Sequence, residues 1–307
     1  MKTLRLGDSD IQVSRLAYGC WRMANGKPSE EAASAMVHAA VDAGYTFFDH
    51  ADIYGGGECE RLFGRVLAKA PGLRKGMIIA SKCGIRPGGD PNPDSPHRYD
   101  FSAGHLIASV EGSLRRLGVD YLDLLLLHRP DYLADPAELT EAFHQLHRSG
   151  KVRAFGVSNF RPSLVALLVK RTSMPLLTHQ VEISLARLDS FTDGVLDQCL
   201  EMGLHPMAWS PLAGGLLGQG SAVPVGHPRA AVLKGLFRAL DAMATQRGIS
   251  REQLALAWLL KHPAGIIPIV GSTQPQRIRQ AADAAQVELS REDWYTLLNA
   301  ARGERLP

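Results

Sequence analysis

The chain has 307 residues, 45% of them hydrophobic and 21% charged, with a formal net charge of +3. That apolar content suffices for a buried core and excludes a disordered chain, and no run of about 18 uninterrupted apolar residues offers a membrane span. The sequence pI is about 8.7, yet no dense Lys/Arg block supports nucleic-acid binding; a local basic pocket for a small anion remains compatible.

The opening, MKTLRLGDSDIQVSRL, sets Gly-Asp-Ser-Asp between two short apolar runs, which predicts a β-hairpin. It lacks the apolar segment and small-residue cleavage site of a secretory signal. The four cysteines, Cys20, Cys59, Cys83 and Cys199, form no CxxC pair. Neither a disulfide framework nor a metal site is therefore expected, and a reducing cytoplasm fits best.

Beyond the hairpin, short apolar runs alternate with amphipathic stretches. Strands are predicted at 16–21 (LAYGCW), 46–51 (TFFDHA), 77–82 (MIIASK), 122–128 (LDLLLLH), 154–159 (AFGVSN), 176–183 (LLTHQVEI), 206–212 (PMAWSPL) and 266–272 (IIPIVGS). Most lack polar alternation, as strands covered on both faces do. A helix is predicted from Ser29, a suitable N-cap, to Gly44, a suitable stop, with Ala32, Ala35, Met36, Ala39, Ala40 and Ala43 on its apolar stripe. The stretch 102–118 has the same start and stop logic, and further helices fall at 58–70, 136–149, 161–171 and 191–202. Residues 86–100, rich in Gly and Pro, form a loop after the third strand, and 213–229 forms another after the seventh.

Repeated strand–helix order predicts parallel strands joined by right-handed crossovers. Eight such units in a chain somewhat longer than about 250 residues suit an α/β fold of the (β/α)8 TIM-barrel type, one domain over residues 1–307, with the hairpin plugging the barrel bottom. A doubly wound open sheet is the alternative. It usually carries a GxGxxG turn after its first strand, where this chain has GCWRMANG.

Polar groups gather at the carboxyl ends of the strands, which surround the mouth of a barrel. Asp49 and Tyr54 follow the second strand, Lys82 ends the third and His128 ends the fourth. Each alone has an ordinary structural explanation; together they describe carbonyl chemistry. A tyrosine hydroxyl can protonate a carbonyl oxygen, but its pKa of about 10 makes it a weak acid near neutrality. A nearby Lys82 ammonium is expected to lower that value, Asp49 to hold Lys82, and His128 to orient the carbonyl. No side chain donates hydride, so the assembly implies a nicotinamide.

These residues resemble the aldo-keto reductase family: DHADIYG is similar to the family's Asp–Tyr signature, and Lys82 and His128 match the other two positions of its tetrad. The resemblance covers almost the whole chain and implies a (β/α)8 barrel with NADP(H)-linked interconversion of carbonyl and alcohol. It also implies that Ser158, Asn159 and Gln180 hold the nicotinamide carboxamide. Trp209 would stack on the ring, where relatives more often carry Tyr, and Ser210, Pro211, Leu212 and Gly214 would wrap the pyrophosphate. Gly19 and Trp21, near the end of the first strand, join the cofactor contacts. Gly271, Ser272, Thr273 and Arg277 match the segment that grips the adenosine 2′-phosphate, with Gln280 near the adenine. The chain departs from many relatives in having Gly271 in place of Lys and in lacking an adenine-binding Asn around 280–281, which keeps NAD(H) open as an alternative cofactor.

Three other readings compete: a reductase-like regulatory or sensing protein that binds the nicotinamide with little turnover, a Schiff-base aldolase using Lys82, and a metal hydrolase using His50, Asp52 and His128. Trp21, Tyr54, His128 and Arg129 are expected to line the substrate mouth, which suits a small aromatic or apolar carbonyl compound. The chain ends soon after WYTLLNAARGERLP, from which an open pocket with broad aldehyde use is expected. Oligomeric state has no signature in the sequence.

Overall fold

The computed structural model describes residues 1–26, 29–172 and 174–306. The chain begins with an antiparallel hairpin, β1 (Thr3–Arg5) and β2 (Gln12–Ser14), in which Thr3 faces Ser14. Then follow β3 (Ala17–Gly19), α1 (Glu30–Asp42), β4 (Phe47–Asp49), α2 (Glu58–Lys69) and β5 (Ile78–Cys83). A short antiparallel pair, β6 (Ile85–Arg86) and β7 (Arg98–Tyr99), precedes α3 (Ala103–Leu117), β8 (Leu122–Leu127), α4 (Pro136–Arg148), β9 (Val152–Ser158) and α5 (Pro162–Arg171). The remainder is β10 (Leu176–Glu182), α6 (Val195–Met202), β11 (His205–Trp209), α7 (Ala230–Arg247), α8 (Arg251–Leu260), β12 (Ile267–Val270), α9 (Pro275–Ala282) and α10 (Arg291–Arg302).

Eight strands close into a parallel barrel in the order β3-β4-β5-β8-β9-β10-β11-β12. All eight predicted strands take part. Side chains alternate between the barrel interior and the surrounding helices. On β4, Phe47 points inward, Phe48 joins the outer core and Asp49 reaches the mouth. On β5, Ala80 and Lys82 point inward, whereas Ser81 and Cys83 face α2 and α3. Leu6, Ile11 and Val13 of the hairpin join Ala17, Phe47 and Leu124 in the interior cluster, so the hairpin plugs the bottom as expected.

The helix ends follow local chemistry. Ser29 caps α1 by accepting from the Ala32 amide at 3.1 Å, and Gly44 leaves the helix at φ +84°. The buried face of α1 is Ala33, Met36, Val37, Ala39 and Ala40, rotated from the expected stripe so that Ala32 and Ala35 are exposed. Ser102 does not cap α3; its hydroxyl donates to Asp100 at 2.6 Å instead. The predicted loop 86–100 is bounded by the β6–β7 pair and pinned by Arg86, whose guanidinium bonds Asp90 and Asp100 at 2.8 and 2.9 Å. After β11 two helices precede β12, and α7 packs against the terminal α10 outside the regular strand–helix repeat. There Trp258 and Trp294 stack with ring centroids 4.9 Å apart, and each indole N–H donates to the other's carbonyl at 3.1 and 3.0 Å.

Near the bottom of the barrel, buried Asp123 accepts from the Ile79 amide at 2.9 Å, Arg74 at 2.9 Å and Arg153 at 2.8 Å, and Arg153 reaches on to Asp10 of the hairpin. One carboxylate thus joins β5, β8, β9 and the plug. Asp123→Ala strips a buried amide of its acceptor and takes the carboxylate partner away from two guanidinium groups. It is expected to lower unfolding stability by about 3 kcal/mol in a urea titration, and an unchanged midpoint would contradict this role.

Candidate active site

The barrel mouth is organised around Lys82, which is fully buried. Its ammonium donates to Asp49 Oδ2 at 2.9 Å, to the His50 carbonyl at 2.7 Å and to the Tyr54 hydroxyl at 3.0 Å. Asp49 is steadied in turn by Gln180, whose Nε2 donates to Oδ1 at 2.8 Å. Tyr54 starts a tight turn in which Gly55, Gly56 and Gly57 all take positive φ, a conformation favouring glycine. His128 meets the Tyr54 ring edge-on, with centroids 5.9 Å apart. Asp49, Tyr54, Lys82 and His128 are therefore brought together.

Burial pulls the Lys82 pKa down, but Asp49 and Tyr54 outweigh it and leave the ammonium more firmly protonated than usual. Burial also pushes the Tyr54 phenol up, and Lys82 is the largest opposing influence. The expected lowering is thus present as a contribution but does not win in the resting protein, where the phenol stays neutral. His128 is held well below its usual range by burial and by the cations Lys82 and Arg129, so its imidazole is neutral.

Around this centre, Trp209 donates its indole N–H to Asn159 Oδ1 at 3.0 Å, and Asn159 Nδ2 donates to Ser158 Oγ at 2.7 Å and the His128 carbonyl at 3.3 Å. Asn159 is therefore engaged at both ends of its amide. Gln180 Oε1 has no protein donor among the described residues. Among the described residues, the non-glycine positions with positive φ are Asn159, Ser210 and Ala213, all on this face, a concentration of backbone strain typical of functional sites. Ala213 carries no sequence signal; only its backbone reveals it. Pro211 is buried, Leu212 is half-buried and Gly214 is exposed at φ +69°. A Cβ on Gly19 would lie 2.7 Å from Ile269, so packing of β3 on β12 accounts for this glycine.

Trp21 stands 59% exposed beside Tyr54, ring centroids 6.4 Å apart, with the Arg22 guanidinium 5.7 Å from its ring. Arg129 lies over Trp209 at 5.9 Å. Beyond β12, the Ser272 carbonyl accepts from Tyr18 at 3.1 Å and its hydroxyl accepts from the Gln274 amide at 3.2 Å, just before α9. Gly271 is half-buried, and Thr273, Arg277 and Gln280 are exposed; Arg277 has no acidic partner among the described residues.

Two competing readings lose their geometry. His50 packs edge-on against Phe63 of α2, centroids 4.5 Å apart, outside the barrel and away from His128, so those two histidines do not share a site. A Schiff-base lysine needs a neutral amine, whereas Lys82 is a charged donor to three acceptors. Cys83 faces the outer core, and all four cysteines are buried and free. Among the described residues no helix is long and apolar enough to cross a membrane.

A closed parallel barrel with a buried amine, carboxylate and phenol linked at its carboxyl end is the architecture of a (β/α)8 enzyme. A profile of the Aldo/keto reductase family matches residues 15–301. A 6-dehydroglucose reductase of Novosphingobium aromaticivorans is 48% identical over 99% of this chain and 96% of its own length. An enzyme of the same name from Agrobacterium fabrum is 42% identical over the whole of both chains, and Oxidoreductase YdhF of Escherichia coli is 41% identical over 96% of each. The crystal structure of the thermostable aldo-keto reductase Tm1743, in complex with the inhibitor epalrestat, superposes with a TM-score of 0.82 at 27% identity, covering 98% of this chain and 100% of that one. The chain belongs to the aldo-keto reductase family: it is an oxidoreductase that uses a nicotinamide cofactor on small carbonyl compounds.

The buried histidines also shape stability. Burial depresses His50 to about 3 and His179 to about 4, and His128 lies low as well. The unfolded chain binds protons at these positions near pH 6.5 while the folded chain does not, so their stabilisation is full above that pH and declines as pH falls towards the folded values. Asp52, raised to about 7 by burial and by Glu60, works in the opposite sense. With Asp52 offsetting one of them, the depressed histidines leave a net loss of stability as the pH falls from 6.5 towards 4, at about 1.4 kcal/mol per unbalanced group per pH unit. Guanidinium unfolding at pH 7.5 and pH 5 should show it, and equal midpoints would contradict it.

Proposed function

We propose that the chain reduces aldehydes and ketones to alcohols with NADPH, that Tyr54 delivers the proton, and that its substrates include sugar aldehydes of the kind named for two relatives, 6-dehydroglucose reductases. We further propose that residues 1–307 act as one barrel unit in the cytoplasm. The carrying observation is the 3.0 Å contact between the Lys82 ammonium and the Tyr54 hydroxyl.

The donor set fits a nicotinamide. Gln180 Oε1 is free to accept from a carboxamide N–H, and Ser158 Oγ accepts from Asn159 while keeping its own proton to donate. Trp209 offers a flat ring whose orientation is fixed through Asn159. The left-handed turn at Ser210 and Ala213, with Gly214, turns backbone towards solvent, where a pyrophosphate would be wrapped. Arg277, uncommitted near the start of α9, suits the 2′-phosphate of NADPH, with Ser272 and Thr273 beside it. Bound NADPH supplies the hydride that no side chain can provide.

The protein's own groups then manage the oxygen. His128, neutral and beside Tyr54, donates to the carbonyl oxygen and orients it. As that oxygen becomes an alkoxide it is far more basic than a phenol, so proton transfer from neutral Tyr54 runs downhill. The phenolate left behind faces Lys82, whose charge stabilises it more than it stabilised the phenol, and this difference accelerates the step. Asp49 and the His50 carbonyl hold the ammonium in place throughout. The exposed Trp21 face suits the C–H groups of a sugar ring, while Arg22 and Arg129 can donate to hydroxyls. A purely aromatic or apolar substrate would leave those cations unused.

Tyr54→Phe should bind NADPH with unchanged affinity and lose turnover by about 10³-fold; a fully active variant would refute the proton donor. Lys82→Met should be similarly inactive. Arg277→Ala should weaken NADPH by about 10-fold or more and leave NADH unaffected, and equal losses for both would place the 2′-phosphate elsewhere. In steady-state assays across a carbonyl panel, no turnover on 6-dehydroglucose or any simple aldehyde would favour a nicotinamide-sensing role instead.

A further inference from the structure

Directly behind the mouth, on the outer face of β5, lies a buried polar chain that the chemistry above does not use. Glu60 of α2 is fully buried. Its Oε1 accepts from Ser81 at 2.6 Å and its Oε2 from the Arg116 guanidinium of α3 at 2.7 Å. Ser81 is the residue before Lys82 and points outward where Lys82 points inward. The carbonyl of Lys82 accepts from the Asp52 amide at 3.0 Å, so the strand is gripped on both sides of the lysine's Cα.

Arg116 also reaches the turn that carries Tyr54. A Cβ on Gly57, the last residue of that turn, would lie 2.8 Å from Arg116 Cδ, and one on Gly112 would lie 2.9 Å from its Nη1. A Cβ on Gly64 would lie 2.4 Å from its carbonyl oxygen. Gly57 and Gly112 therefore clear the space that this one side chain occupies, Gly64 lets α2 approach the α3 backbone at Arg116, and Ser113 takes a further hydrogen bond at 3.2 Å. A surface ion pair needs no such space.

We propose that Arg116 is a positioning residue for the reaction. Through Glu60 and Ser81 it sets the strand bearing Lys82, and through its packing against Gly57 it sets the turn bearing Tyr54, so the distance between amine and phenol is fixed from outside the barrel. This role rests on the assignment of Tyr54 and Lys82 made above.

The groups facing the Tyr54 phenol are Lys82, Asp49, Cys20 and His128. Of these, Lys82 has the largest lowering effect, so a longer Lys82–Tyr54 separation raises the phenol's pKa. The experiment is the pH profile of kcat for aldehyde reduction at saturating NADPH, for Arg116→Met, Arg116→Lys and Ser81→Ala. Arg116→Met is expected to lose kcat by on the order of 10- to 100-fold, with KM unchanged and the alkaline limb moved to higher pH. Arg116→Lys should recover part of both effects, and Ser81→Ala should show a smaller change in the same direction. A merely structural role would reduce the amount of active enzyme and leave the limb in place, and that result overturns the proposal. If Arg116→Met fails to fold, Ser81→Ala and Glu60→Gln decide by the same limb. Tyr54→Phe run alongside separates the two levels: if it keeps turnover the catalytic assignment fails, whereas if it is inactive and the limb never moves only the positioning role fails.

Discussion

A charged amine sealed inside a protein is tolerable only when its environment returns what water supplied. Lys82 satisfies this with three acceptors on three sides: a carboxylate from β4, a backbone carbonyl from the following residue and a phenol from the next turn. Each acceptor must be delivered by a different piece of chain, so the requirement propagates outwards. Asp49 has to point inward at the end of its strand, β4 and β5 have to pair in the register that sets Asp49 opposite Ala80, and the turn after β4 has to double back sharply enough to return Tyr54 to the same point. The barrel supplies the first two conditions and three consecutive glycines supply the third.

The two ends of the barrel solve different problems. At the bottom, apolar hairpin residues and Asp123 close the interior and tie neighbouring strands together, with the Ile79 amide and the Arg74 and Arg153 guanidinium groups converging on one carboxylate. At the mouth the backbone is strained at Asn159, Ser210 and Ala213, and polar atoms such as Gln180 Oε1 stay free. Backbone strain costs stability, and among the described non-glycine residues positive φ falls on the face where a ligand can relieve it.

Much of this was legible in the sequence because barrel strands are short, buried and read as continuous apolar runs, and because their last residues are forced to converge. Asp49, Lys82 and His128 announced themselves as polar residues ending such runs. The features that escaped are those set by packing partners distant in sequence. The Trp258–Trp294 pair and helices α7 and α10 lie outside the strand–helix repeat. The face of α1 shifted because Ala33 and Val37 bury as readily as the alanines beside them. The protonation of Tyr54 depends on a competition between burial and one ammonium that only three-dimensional geometry resolves. The relation of the Asn159 amide to Trp209 spans fifty residues and leaves no local trace.

That last contact has an optical consequence. Of the four tryptophans, Trp258 and Trp294 are stacked on one another under the outer helices and Trp21 projects into solvent, while Trp209 is tethered by its ring nitrogen at the place assigned to the nicotinamide. An indole held rigidly against a reduced dihydropyridine transfers its excitation to it efficiently. The protein's own ultraviolet emission should therefore darken as the coenzyme docks, giving a label-free signal to which Trp209 contributes most directly.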